Sequence, residues 1–187
     1  MARREIKEKN ILDEFVIDFC RIIEKHCKYI ICSGFVAIAH GRSRGTEDID
    51  MLCEPLNIEQ FKKLHKDLIT YSFACLYGND PALLFNDYLV KFDSLRYIRK
   101  DTMLPEMEIK FARDSLDLQQ IKNRIKLPLT KLQVFFSTIE SNIAFKEEYL
   151  TSEKDMEDAK HLRLIYEGKI NEKEIERIKK EIRRLKL

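Results

Sequence analysis

Gly41-Arg42-Ser43-Arg44-Gly45-Thr46-Glu47-Asp48-Ile49-Asp50 is the stretch on which the reading of this 187-residue chain turns. Its first seven residues hold two glycines, two arginines, a serine and a threonine, the make-up of a polar turn. Ile49 to Cys53 then continues as a strand, which Pro55 stops. Side chains alternate along a strand, so Asp48 and Asp50 leave one face while Ile49 and Met51 anchor the other. Two carboxylates on one face repel unless a cation joins them, and Mg²⁺ held by one or two carboxylates plus nucleotide phosphates is the usual resolution. An Asp-x-Asp pair on its own is most often a solvated pair, so its neighbours decide its meaning.

Upstream, Tyr29 to Cys32 is a short isoleucine-rich run, the pattern of a buried strand, and it ends at Ser33-Gly34 before a short apolar helix at Phe35 to His40. A glycine there lets backbone N–H groups approach a phosphate. Between this corner and the aspartates, Arg42, Arg44 and Thr46 add positive charge and a hydroxyl donor. Three phosphate-handling elements converge on one short segment.

The rest of the chain supplies the frame. Ile11 to Ile23 carries apolar residues at spacings of three and four, an amphipathic helix. Asn57-x-x-Gln60 fits a capping box for a helix that continues through Ile58, Phe61, Leu64 and Leu68. Alternation at Tyr71, Phe73, Cys75 and Tyr77 predicts a third strand, followed by a turn at Gly78-Asn79-Asp80-Pro81. Tyr88 to Leu95 reads as a fourth strand, and Glu108 to Ala112 and Leu132 to Phe136 as further short ones around a polar helix at Ser115 to Arg124. Everything from Thr138 onward is helical, with a break at Gly168. The last helix, capped by Asn171, sets Ile175, Ile178, Ile182 and Leu185 in a stripe and carries seven basic residues against four acidic ones. The expected fold class is α/β (α+β), a small mixed sheet flanked by helices, with residues 1–136 as the core and residues 137–187 as a C-terminal helical segment packed on it.

Composition narrows the function classes. A charged share of 35% with a hydrophobic share of 44% describes an ordinary core inside well-solvated helices. The net charge of +2 does not by itself argue for nucleic acid. No apolar run approaches the length of a membrane helix and the first residues are charged, so the expectation is a cytoplasmic protein without a membrane partner. Five cysteines without a Cys-x-x-Cys pair read as reduced core thiols. His26, His40, His65 and His161 are too scattered for a metal spacing, and neither Gly-x-x-x-x-Gly-Lys-Ser/Thr nor Gly-x-Gly-x-x-Gly occurs.

The run from Ser33 to Asp50 resembles the signature of nucleotidyltransferases of the DNA polymerase beta superfamily, a small-residue pair followed about a dozen residues later by Asp-hydrophobic-Asp. Arg44-x-Thr46-x-Asp48-Ile-Asp50 is similar to the minimal enzymes that include the AbiEii-type toxins. The resemblance implies transfer of a nucleoside monophosphate from an NTP, ATP among them, to a hydroxyl acceptor on RNA, tRNA or protein. It implies two Mg²⁺ ions on Asp48, Asp50 and a third carboxylate, which also activates the acceptor. Asp93 is the candidate, because it follows the apolar stretch of the expected fourth strand; Glu106 and Glu108 are its rivals. Ser33, Gly34, Arg42, Arg44 and Thr46 would grip phosphates. The tail around Ile143 to Lys146 and Ser152 to His161 is similar to the helical segment of those enzymes, implying nucleotide contacts from Lys146, Lys154 and Asp158, with Asp155 as an alternative. An antitoxin-like protein partner would accompany a toxin role. The competing reading is a degenerate nucleotide-binding or regulatory module of the same fold. For the last helix, RNA docking competes with a packing or dimer face.

Overall fold

The structure, a computed structural model, describes residues 11–43, 45, 46 and 48–185. Its centre is a five-stranded mixed sheet of order β1-β2-β5-β4-β3, with β1 Tyr29–Cys32, β2 Asp48–Cys53, β3 Phe73–Cys75, β4 Leu95–Arg99 and β5 Glu106–Phe111. β2 and β5 run parallel, and every other neighbouring pair is antiparallel.

The two faces of the sheet have opposite fates. Tyr29, Ile31, Ile49, Met51, Tyr97, Met107 and Ile109 share one face, and all are buried. Two amphipathic helices close over it, α1 Ile11–Ile23 and α3 Ile58–Thr70, with the Phe19 ring 4.9 Å from Phe73 and 5.9 Å from Tyr97. The α3 helix starts at the Asn57–Gln60 capping box, whose two reciprocal hydrogen bonds are both 2.9 Å. The other face carries Asp48, Asp50, Glu106, Glu108, Lys110 and Arg96. Apolar packing covers part of it, where Ile30 and Leu52 meet Ala112, just after β5, and Ile121 of α5 Ser115–Lys122. The uncovered remainder holds the charges.

Between β3 and β4 the expected fourth strand at Tyr88 to Leu95 is not formed. Asp80 caps a helix there, α4 Pro81–Asp87, accepting from Ala82 and Leu83 N–H with proline at the first helical position, and a 3₁₀ turn, Leu89–Lys91, follows. Asp80-Pro81 is thus a helix start that reads as a turn when judged by its glycine and asparagine neighbours. The strand comes later, at Leu95–Arg99. Leu132 to Phe136 is likewise irregular, although Phe136 pairs with Ile31 as an isolated bridge on the free edge of β1.

The C-terminal helices α6 Ile139–Phe145, α7 Glu153–Ile165 and α8 Glu172–Leu185 share the main hydrophobic core, to which they contribute Ile139, Ile143, Leu162, Ile175, Ile178 and Ile182. A π-helical turn, Lys146–Leu150, joins α6 to the bend before α7. The isoleucine stripe of α8 is therefore spent on its own chain, chiefly on α6, and not on a second copy. All five cysteines are free thiols. Among the described residues no helix is long and apolar enough to cross a membrane.

Candidate active site

β2 delivers the two aspartates as alternation requires, with Asp48 and Asp50 on the uncovered face and Ile49 and Met51 beneath. Parallel pairing with β5 sets Asp48 opposite Glu106 and Asp50 opposite Glu108. Four carboxylates thus occupy neighbouring positions on one face. Burial pushes the Asp50 carboxyl above its ordinary range, and the negative charges of Glu108 and Asp48 push it further, with Lys110 and the Ser33 hydroxyl offsetting part.

Glu108 experiences the reverse. It is buried, which alone would raise its pKa, but Lys110 Nζ lies 2.5 Å from one oxygen and Arg96 Nη2 3.0 Å from the other, and together they hold it below the usual carboxylate range. Arg96 comes from β4, directly opposite Glu108 on the side away from Asp50, and also reaches Glu106 at 3.4 Å. Among the described residues no three His, Cys, Asp or Glu side chains are gathered as a ready metal cage. The donors nevertheless suit a hard cation, because carboxylate oxygens are what Mg²⁺ takes and the like-charge strain on Asp50 is what a cation relieves. Asp48 and Asp50 could present oxygens to one, while the Glu108 oxygens are engaged by Lys110 and Arg96.

Asp93 is not on a strand of the sheet, and it follows Phe92, which lines the cavity beside Asp50. It is exposed, in the turn after the 3₁₀ segment, with its N–H bonded to Tyr88 O at 3.0 Å. Since Leu95 pairs with Ile109, Asp93 sits beyond the strand end and out of register with Asp50 and Glu108. The strand that made it the candidate third carboxylate is absent. The rival Glu108 holds the adjoining position instead.

Ser33 and Gly34 lie where β1 turns into α2 Gly34–Ala39, and Ser33 makes the corner with a positive φ of 61°. The bulky Phe35 does not intrude, for its ring is buried and stacks against Phe136 at 6.4 Å. Thr46 Oγ donates to the Asp48 carbonyl at 2.8 Å, fixing the entry to β2. Arg44 lies outside the described residues. Arg42 points away from the sheet, to the side chains of Asp158 and Glu157 and, at 3.0 Å, to the carbonyl of Lys154. Lys146 is buried, 2.8 Å from Asp158 and 3.2 Å from Asp155. These residues form a network tying the polar turn to α7. The Lys154 side chain is exposed.

A cavity of about 350 Å³ opens beside Asp50 and Glu108, a volume within the range of small-molecule sites. Its charged lining is mixed, with Lys110, Arg113 and Lys146 beside Asp50, Glu108, Asp114 and Asp117, and Gln120, Phe145 and Tyr149 also line it. Gln120, Lys110 and Arg96 carry no sequence signal of their own; only the β4–β5 register and the placement of α5 bring them here.

No family model matches the chain, and no curated protein matches it by sequence. Solved structures do. One is ANT(2'')-Ia in complex with adenylyl-2''-tobramycin, similar over 95% of this chain and 100% of that one, with a TM-score of 0.57 at 12% identity. The solution structure of the antibiotic-resistance factor ANT(2'')-Ia matches 92% of this chain and 91% of its own, with a TM-score of 0.55 at 11% identity. An antigenic nucleotidyltransferase-like protein from Paracoccidioides brasiliensis matches over 88% and 83%, with a TM-score of 0.52 at 14% identity. The chain has a nucleotidyltransferase fold. In that fold the paired aspartates of β2, the Ser33-Gly34 corner and the cavity lie on one side of the sheet.

Proposed function

We propose that this protein transfers a nucleoside monophosphate from a nucleoside triphosphate to a hydroxyl acceptor, releasing pyrophosphate, in a Mg²⁺-dependent reaction at Asp48, Asp50 and Glu108. The observation that carries the reading is the register of Asp50 with Glu108 on parallel strands beside an open cavity. Bound Mg²⁺ would neutralise the triphosphate and polarise the transferred phosphorus. The chain's own residues do the rest. Asp48 and Asp50 present oxygens to the triphosphate side. Glu108 sits where an acceptor hydroxyl would lose its proton, and Lys110 stands beside both Asp50 and Glu108 to receive phosphate charge. Ser33 and Thr46 border the phosphates. The Arg42–Asp158–Lys146 network acts by holding the polar turn in place.

The acceptor fits the AbiEii-like reading as RNA, tRNA or protein. ANT(2'')-Ia, whose structure holds an adenylylated tobramycin, shares the fold but at an identity that carries no acceptor across. The engagement of Glu108 by Lys110 and Arg96 favours a second reading, a nucleotide-binding module that no longer turns over.

Incubation with Mg²⁺, each labelled triphosphate and total tRNA or cell lysate, beside Asp50→Ala and Glu108→Gln variants, separates the two. Label transferred by the native protein alone supports catalysis. Triphosphate binding without transfer to any acceptor supports the module.

A further inference from the structure

The cavity lining combines two chemistries. The sheet contributes Asp50, Glu108 and Lys110, and α5, α6 and the π-helical turn contribute Gln120, Phe145 and Tyr149. Phe145 and Tyr149 meet edge to face, with ring centroids 6.2 Å apart and planes at 82°, and Tyr149 is 45% exposed.

Gln120 is the unusual member of this wall. It is only 9% exposed, it lines the cavity, and its side-chain amide has no hydrogen-bond partner among the described residues. The neighbouring polar groups are engaged: Asn142 Nδ2 donates to Ser137 Oγ at 2.8 Å and to Thr138 O at 2.9 Å, and Ser141 Oγ accepts from Thr138 Oγ at 2.9 Å. Gln120 is not among the residues with a sealed, unpartnered polar atom, so its amide opens to the cavity and is available to a ligand there. Its position is also fixed. Asp114 caps α5 by accepting from Leu116 and Asp117 N–H at 2.8 and 3.0 Å, and Ile121, the next residue, is packed with Ile30 and Ala112.

We infer that Gln120 reads the base of the bound nucleoside triphosphate and selects adenine. The inference rests on the nucleotidyltransferase reading above and deepens it by naming a specificity residue. A glutamine amide places a donor and an acceptor side by side, the edge that pairs bidentately with the N6 and N7 groups of adenine. The aromatic rings of Phe145 and Tyr149 in the same cavity suit a planar heterocycle. Phosphates at Asp50 and Lys110 with a base at Gln120 would use both the charged and the amide and aromatic lining of the one cavity.

The test is binding, measured by displacement of a fluorescent ATP analogue from the full chain in Mg²⁺, with ATP, GTP, CTP, UTP and inorganic tripolyphosphate as competitors. ATP should bind about tenfold more tightly than the other three, the lower part of what a bidentate amide–base pair is worth. Gln120→Leu should bring ATP level with them and leave tripolyphosphate unchanged. Gln120→Glu, which keeps the size and exchanges a donor for an acceptor, should weaken ATP as well, and thermal unfolding of Gln120→Leu should stay close to the native midpoint, so that a lost ATP preference is not a lost fold. Equal binding of all four triphosphates by the native chain, or an ATP preference that survives in Gln120→Leu, overturns the inference while leaving the catalytic site intact. A preference for another base overturns the adenine assignment. If neither triphosphates nor tripolyphosphate bind, the nucleotidyltransferase reading itself fails.

Discussion

Asp50 and Glu108 are direct partners on neighbouring parallel strands, yet their surroundings drive their protonation in opposite directions. Burial and like charge raise the pKa of Asp50; Lys110 and Arg96 outweigh burial and lower that of Glu108. The linkage signs follow. Ionised Asp50 costs the folded state free energy at any pH above its raised folded pKa, and that cost disappears below its unfolded value near 3.8. Ionised Glu108 contributes stability that is present above its unfolded value of 4.5 and is lost as pH falls through its lower folded pKa.

Asp50→Asn should therefore stabilise the protein at pH 7 while abolishing nucleotidyl transfer. The amide keeps the shape and removes the repulsion, so a rise in the thermal midpoint of roughly 2–4 °C, or about 1 kcal/mol, is expected by calorimetry. A fall in the midpoint would mean that Asp50 is held by favourable contacts and is not a strained carboxylate awaiting a cation.

The third carboxylate is decided by two variants. Glu108→Gln should lower the transfer rate by roughly 10²-fold or more, the scale on which one electrostatic group at a reacting centre acts. Asp93→Asn should leave the rate within a factor of about three, since this exposed carboxylate is not among the cavity-lining residues. The reverse ranking in single-turnover assays would return Asp93 to the site.

The contrast between Asp93 and Glu108 shows how far the sequence carried. Strong local signals located β1, β2, α1 and α3, because strand alternation, an unbroken amphipathic stripe and a capping box are each set by nearby residues. The Asp48-Ile-Asp50 pair was visible for the same reason. Glu108 was only one of three candidates, because its significance depends on which strand lies beside β2, a long-range pairing that no local pattern encodes. The expected strand at Tyr88 to Leu95 failed through its alternating apolar residues: Leu89 is buried while Val90 and Phe92 are about half exposed, a helical turn's division and not a strand's. Lys146 and Asp158 were recognised as members of a group, but whether they meet a nucleotide or each other is a question of tertiary packing. In the structure they meet each other.

That buried pair makes its own prediction. Lys146→Met should destabilise the protein by about 3–5 kcal/mol in urea unfolding, because the fully buried Asp158 loses the ammonium group 2.8 Å from its carboxylate. Adding Asp158→Leu should recover part of the loss, as removing both partners of a buried ion pair costs less than removing one. Full additivity of the two substitutions would show that the pair is not coupled.

The attachment of α7 to α2 should depend on pH through His40. Its Nδ1 lies 2.7 Å from the Val36 carbonyl, which can only accept, so in the neutral ring Nδ1 carries the proton and Nε2 accepts from the Tyr166 hydroxyl at 2.7 Å. Burial lowers the His40 pKa, and nearby His161 lowers it further. A histidine with a lowered folded pKa contributes stability that is present above its unfolded value of 6.5 and is lost as pH falls through the folded value. Tyr166→Phe removes the donor and should cost about 1–2 kcal/mol at pH 7.5, since Nε2 is left unpaired in a half-buried pocket. His40→Phe should flatten the stability profile between pH 6.5 and more acid conditions. An unchanged slope in that variant, read from urea midpoints across the range, would assign the acid sensitivity to another group.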